Sequence, residues 1–314
     1  MPKKQQKQQK QRIAVTGGLG FIGSHFIDLL LKKGYYVINI DKRTYAARTD
    51  LSFDKNPNYE LIVEDICLLK HLPPNISYLV NFAAESHVDN SILANESFFE
   101  SNTRGVYNLL ELIRSKDPSD RPVLIHISTD EVYGDILDGS SKENAPLTPS
   151  NPYSASKAAA EQLINGWKRT YGIKARISRS SNNYGFGQYP EKLIPKTMHL
   201  VSKNIKMTLH GDGSYQREWI HVGDNCNAIL MIMEKGEDGE TYNISSGEML
   251  TNLEIVKLIL SHMKKPGDFY EFVENRIGQD IRYSITSEKI KKLGWQPKMN
   301  FKKYLPNYLK LMKD

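Results

Sequence analysis

Asp130 and Glu131 stand side by side in HISTDEVYG, residues 126–134, between an apolar strand-like run and a glycine. Two neighbouring carboxylates, one held protonated and one ionised by their surroundings, can serve as the acid and the base of a single reaction. A second pair lies in NPYSASK, residues 151–157. Asn151 is a good helix N-cap and Pro152 suits the first helical position, so Tyr153 falls in the first turn and Lys157, four residues on, shares its face. A phenol with a pKa of about 10 is a poor base at neutral pH, but a neighbouring ammonium favours its phenolate. A helix-surface pair would also explain the YxxxK spacing, and capping of the next turn would explain the two acids.

Those side chains need elements to carry them. From Arg12 the chain alternates apolar runs with helical patterns: RIAVTGG, the amphipathic FIGSHFIDLLLKKG, then YYVINID ending in Asp41. YELIVEDI, SYLVNFAA, a helix from about Asn95 to Arg114, PVLIHIST, the helix after Pro152 and KARISRSSN follow. Strands and helices in turn imply an α/β fold, a Rossmann-type doubly wound parallel sheet. After about residue 185 the rhythm loosens, and residues 186–314 are read mainly as a smaller mixed α/β substrate-binding domain with a cleft against the first. The first domain is set at residues 12–185.

The first turn, TGGLGFIG, places Gly17, Gly20 and Gly23 in a GxxGxxG spacing, with Phe21 and Ile22 inside it. Such a turn lets backbone amides at a helix N-terminus approach a pyrophosphate. Asp41, eighteen residues after Gly23 at the end of the second strand, is placed to hold ribose hydroxyls. An acid there disfavours the extra phosphate of NADP, so NAD is the expected cofactor, although Lys42 and Arg43 follow directly.

Composition narrows the classes. The chain has 314 residues, 39% hydrophobic content and a net charge of +6. Five of those six charges sit in MPKKQQKQQKQR, which has no acid and little to bury, so residues 1–11 read as a disordered basic tail and no nucleic-acid partner is expected. No run of about 18 apolar residues occurs and the start lacks a secretory apolar stretch, so a cytoplasmic protein with no membrane partner is expected. Cys67 and Cys226 are far apart with no CxxC or histidine cluster, giving neither a disulfide framework nor a metal site.

TGGLGFIG, FAAESHVD, STDEVYG, PYSASK, SNNYG, PEKLIP and REW, in this order, resemble the extended short-chain dehydrogenase/reductase family, and within it the nucleotide-sugar 4,6-dehydratases. The likeness runs from about Arg12 to Trp295; YxxxK and the glycines mark only the superfamily, whereas the Asp-Glu of STDEVYG marks the dehydratase branch. The resemblance implies NAD-dependent oxidation at C4 of a nucleotide-diphosphoglucose, loss of water across C5 and C6, and return of the hydride to C6. Tyr153 would take the C4 hydroxyl proton with Lys157 beside it, Glu131 would act as base at C5, and Asp130 as acid at the C6 hydroxyl. Thr129 would bond the C4 oxygen. NAD, tightly bound and regenerated each cycle, would meet the glycine turn, Asp41, Lys42, Asp65, Ile66, Ala83, Ala84, Ser101 and Asn183. His87, Asn182, Lys192, Leu193, Arg217, Asn243, Arg276 and Gln279 would face the substrate, with the Arg217 guanidinium forking onto phosphate oxygens.

The family also implies a homodimer packed through the helix near Asn95 to Arg114 and the one bearing Tyr153. Val106, Leu109, Leu110 and Ile113 are compatible with that packing, and equally with a core. Gln279 stands where bacterial dTDP-glucose enzymes typically carry histidine, Phe186 replaces a usual proline, and ENRIGQDIRYSI, like HGDG at residues 210–213, resembles eukaryotic members, including those that use UDP-glucose. These departures leave UDP-glucose and dTDP-glucose both open, since one methyl or one hydroxyl separates them by only about 1 to 3 kcal/mol in an apolar pocket. The product would be a branch point toward rhamnose or other deoxysugars. A 4-epimerase or decarboxylase of the same family is the runner-up, disfavoured by Asp130, and a non-catalytic NAD-binding module is a third reading.

Overall fold

Alternating apolar runs build one parallel seven-stranded sheet in the computed structural model, which describes residues 10–275 and 278–311. The expected disordered tail falls almost wholly outside the described residues. The first strands are β1 (Arg12–Thr16), β2 (Tyr36–Ile40), β3 (Tyr59–Ile62), β4 (Ile76–Asn81), β5 (Val123–Thr129) and β6 (Ala175–Ser180). Their helices are α1 (Phe21–Lys32), the short α2 (Val88–Leu93) and α3 (Glu96–Phe98), α4 (Gly105–Arg114) and α5 (Pro152–Tyr171). Strand order is β3, β2, β1, β4, β5, β6, with a later strand beyond β6. The order reverses between β1 and β4, the switch point where doubly wound sheets open a crevice at the carboxyl ends of their strands.

The later part contributes β7 (Asn182–Tyr184), α6 (Leu193–Ser202), β8 (Met207–His210), β9 (Gln216–His221) and α7 (Val222–Lys235). It ends with β10 (Thr241–Ile244), β11 (Met249–Thr251), α8 (Asn252–His262), β12 (Tyr270–Val273), α9 (Glu288–Lys292) and α10 (Phe301–Leu311). β7, β9 and β11 form a small sheet and β8 pairs with β12. The chain also returns to the large sheet past residue 185: β10 pairs in parallel with β6, and α7 packs its apolar face with α1 in the same core. α4 and α5 cover the opposite face with Leu109, Leu110, Ala160 and Ile164. Burying both faces is what lets β1, β4 and β5 be nearly continuous apolar runs.

The helix expected from about Asn95 to Arg114 is present with a change of pitch. A π-helical turn, Phe99–Arg104, separates α3 from α4. Within it Asn102 accepts a bond from Glu85 N at 2.8 Å and donates to Ser156 Oγ at 2.9 Å, stitching the loop after β4 to α5. The wider turn presents Ser101 to the crevice.

Candidate active site

β5 ends at Thr129, and its carboxyl end carries the acids directly into a tight 3-10 turn, Asp130–Tyr133. Thr129 caps that turn, taking a bond from Glu131 N at 3.3 Å, and its hydroxyl donates to Asp130 Oδ1 at 3.2 Å. Gly134 closes it at φ 71°, where an added Cβ would collide with the Thr148 carbonyl oxygen. Asp130 is only 3% exposed and its Oδ2 has no bonding partner. Burial, then the charges of Glu131 and Glu218, push its pKa well above the usual carboxylate value. Glu131 is raised too, by burial, against the opposing pull of Arg217 and Lys192. Asp130 is therefore the natural proton donor of the pair.

α5 begins as its sequence demands. Asn151 and Ser154 form a reciprocal capping box, with Ser154 N donating to Asn151 Oδ1 at 2.9 Å and Asn151 N to Ser154 Oγ at 3.2 Å. Tyr153 and Lys157 consequently both face inward from the first turns, 9% and 3% exposed. Lys157 Nζ donates to Ile127 O on β5 at 2.7 Å. The expectation that Lys157 lowers the tyrosine is corrected: burial and then Glu131 drive Tyr153 upward, with a hydrogen bond to Thr129 working the other way. Lys157 itself is lowered to about 8 by burial, with Glu161 opposing. Burial of the phenol is the larger cause, and the Glu131 carboxylate adds to it.

Both pairs border one cavity of about 370 Å³ at the switch point. The glycine turn fits a dinucleotide. Gly17 sits so close to the chain leaving β4 that a Cβ would lie 2.6 Å from Ala83 N, and a Cβ at Gly23 would strike the Gly17 carbonyl oxygen. α1 starts at Gly20 with no side-chain cap, which leaves its first amides for an anion. Asp41 is fixed by Leu19 N at 2.9 Å and Arg43 N at 2.8 Å. Lys42 lies 3.5 Å from Asp65 and 4.0 Å from Glu85 and donates to Ser101 Oγ at 3.0 Å, so its charge is spent on local acids. Phe21, Ile22, Ile66, Ala83, Ala84 and Asn183 share this lining.

A second cavity of about 200 Å³ adjoins the first. Glu131, Asn182, Lys192 and Leu193 line both, while His87, Arg217 and Gln279 line the second alone. Arg217 stacks 4.2 Å over the Tyr283 ring and donates to the carbonyls of Gln216 at 2.8 Å, Ile281 at 3.2 Å and Asp280 at 2.8 Å, so much of its fork is engaged by backbone. His87 caps α2, accepting from Asn90 N at 3.3 Å. Lys192 Nζ donates to Ser86 O at 2.7 Å. Asn243 is a correction. It lies on β10 away from both cavities, fully buried, accepting from Tyr133 OH at 2.8 Å and donating to Ser141 O at 3.0 Å. Arg276 lies outside the described residues.

Two side chains beside Glu131 escaped the sequence reading. Tyr283 OH stands 2.5 Å from Asp280 Oδ2 and 3.4 Å from Glu131 Oε2, its one proton serving one acid at a time. No motif marks either residue; the arrangement arises where the irregular segment after residue 278 runs beside β9, bridging to Gln216 through Arg282.

Known proteins resemble this chain over nearly its whole length. The GDP-mannose 4,6 dehydratase family model matches residues 14–307. The low-salt glycan biosynthesis protein Agl12 of Haloferax volcanii is 43% identical, covering 92% of this chain and 94% of that protein. The dTDP-glucose 4,6-dehydratase of Haemophilus influenzae is 40% identical, covering 95% and 96%. A crystal structure of DesIV, the dTDP-glucose 4,6-dehydratase of Streptomyces venezuelae, with NAD bound, superposes with a TM-score of 0.93 at 38% identity, covering 96% of this chain and 97% of that one.

Proposed function

The chain belongs to the GDP-mannose 4,6 dehydratase family of nucleotide-sugar dehydratases, and on that premise we propose that it converts a nucleotide-diphosphoglucose, with thymine or uracil as base, to the 4-keto-6-deoxyglucose nucleotide and water. The observation that carries this reading is the placing of Asp130, Glu131, Tyr153 and Lys157 on one cavity wall beside a dinucleotide turn. NAD, when bound, supplies the hydride chemistry, taking hydrogen from C4 and giving it back at C6. The neutralised Lys42 and the carboxylate of Asp41 favour it over NADP.

Tyr153 takes the C4 hydroxyl proton as the 4-ketone forms, a step for which it must be phenolate, the form that the Lys157 ammonium favours against burial and Glu131. The ketone acidifies C5–H, which Glu131 removes, while Asp130 protonates the C6 hydroxyl so that it leaves as water. Glu131 then returns its proton to C5, and the proton held by Tyr153 replaces the one Asp130 gave up. Redox and protons balance, so the reaction needs no second substrate. The nucleotide diphosphate lies in the second cavity, near Lys192, Arg217, Asn182 and Gln279.

A homodimer through the exposed sides of α4 and α5 belongs to the same reading, supported by Tyr107 and Tyr171, 45% and 42% exposed on those helices. Light scattering showing monomer alone would remove it. A cytoplasmic location and a place in rhamnose or other deoxysugar synthesis also belong to it. Among the described residues no helix is long and apolar enough to cross a membrane, and both cysteines are free.

Incubating the purified protein with UDP-glucose or dTDP-glucose, without added cofactor, tests the whole reading. Loss of one water by mass spectrometry is expected, and the ratio of kcat/KM values ranks the bases. No product even with NAD supplied would refute dehydration.

A further inference from the structure

Behind the reactive cavity lies a buried charge network that the mechanism leaves unused. Arg179, on β6, is 5% exposed, and Glu161, on α5, is fully buried. The guanidinium forks onto the carboxylate, with Nε 3.1 Å from both oxygens and NH2 2.5 Å from Oε2. Its NH1 donates to Tyr133 OH at 2.5 Å and Glu143 O at 3.1 Å, and its plane lies 4.7 Å from the Tyr133 ring. Tyr133 in turn donates to Asn243.

The two ends of this network are the two elements that carry the chemistry. Tyr133 is the last residue of the turn that begins with Asp130 and Glu131. Glu161 is one helical turn beyond Lys157 and two beyond Tyr153 on α5. We propose that Arg179 is a positioning residue: by gripping Glu161 on α5 and Tyr133 on the turn after β5, it fixes the two carboxylates against the Tyr153–Lys157 pair. The inference rests on the function proposed above. A planar fork suits the task because it sets direction as well as distance at both ends. A misplacement of about 1 Å at a reacting group can cost about a hundredfold in rate.

Charge adds a second effect. The groups facing Lys157 are Tyr153 and Glu161 on α5 and, on β5, His126 and the Ile127 carbonyl. Glu161 alone among them is an anion favouring the ammonium. Neutralising it lowers the pH at which Lys157 loses its proton.

Tyr133→Phe and Glu161→Gln test this, with Arg176→Met as the comparison. Arg176 is a second buried arginine of β6, but it binds Asp238 at 2.9 Å and the Ile232 and Met233 carbonyls, tying down α7 rather than the site. For Tyr133→Phe, kcat should fall about tenfold to a hundredfold with KM unchanged, and the bound cofactor should stand more reduced during turnover, because C4 oxidation outruns elimination. For Glu161→Gln, activity should be lost on the basic side at lower pH than in wild type. Arg176→Met should change neither, even where its melting temperature drops as far. If Glu161→Gln does not fold, Tyr133→Phe, which keeps the ring, still decides. Kinetics and cofactor state of Tyr133→Phe matching those of Arg176→Met would overturn the inference. A wild type that forms no dehydrated product would remove the functional reading itself, and this inference with it.

Discussion

Asp130→Asn separates the acid from the scaffold. The amide has the shape of the carboxyl it replaces, keeps the Thr129 contact and puts NH2 where Oδ2 now lacks a partner, so the turn should fold unchanged. What disappears is a transferable proton. General acid catalysis contributes about 10²- to 10⁴-fold, so kcat should fall by about 3 to 5 kcal/mol in barrier terms with KM nearly constant. C4 oxidation does not use Asp130, so absorbance of the reduced cofactor should build up on mixing with substrate, followed by little product. Stability gives an independent check. Asp130's native pKa is raised above its ordinary 3.8, so its contribution is fully present below that value and lost as pH rises through the native pKa. The amide has no such loss. The melting temperature of Asp130→Asn relative to wild type should therefore climb with pH across that window. Dehydration at the wild-type rate, or a melting difference that shrinks as pH rises, would refute the assignment.

Lys157, lowered to about 8, is protonated below that pH and loses its charge above it, so kcat/KM should decline with an apparent pKa near 8; a profile flat to about pH 10, where an ordinary lysine titrates, would sink its role. Gly23→Ala drives a methyl into the Gly17 carbonyl and should cost about 1 to 3 kcal/mol, with less NAD retained on purification, measured by melting and by nucleotide content. Asp41→Asn should weaken NAD by about tenfold, about 1.4 kcal/mol, and narrow the gap to NADP, read by titration of each cofactor.

Much of this was legible because the local chemistry is self-contained. The Asn151-Pro152 start fixes where Tyr153 and Lys157 face, and the glycine turn with Asp41 follows from one strand-helix-strand unit. What stayed hidden depends on distant chain meeting the site. Asn243 matches a substrate-facing position of the family, yet its partner is Tyr133, 110 residues away, so it turns into the core. The upward push on Tyr153 comes from the sheet packing Glu131 against it, which helix spacing alone does not contain. Tyr283 and Asp280 reach Glu131 from the far end of the chain, in a segment with no periodic pattern.

The edge strand β10 ties the two halves of the chain in time as well as in space. β6 can hydrogen-bond to β5 as soon as it is made, but its outer edge stays open until residues 241–244 arrive, after the intervening β7 to α7. A polypeptide ended near residue 185 would therefore expose the bare edge of β6, a template for pairing with another chain. On the ribosome that edge should be covered only after β7 to α7 have emerged, so the large sheet is completed late in synthesis.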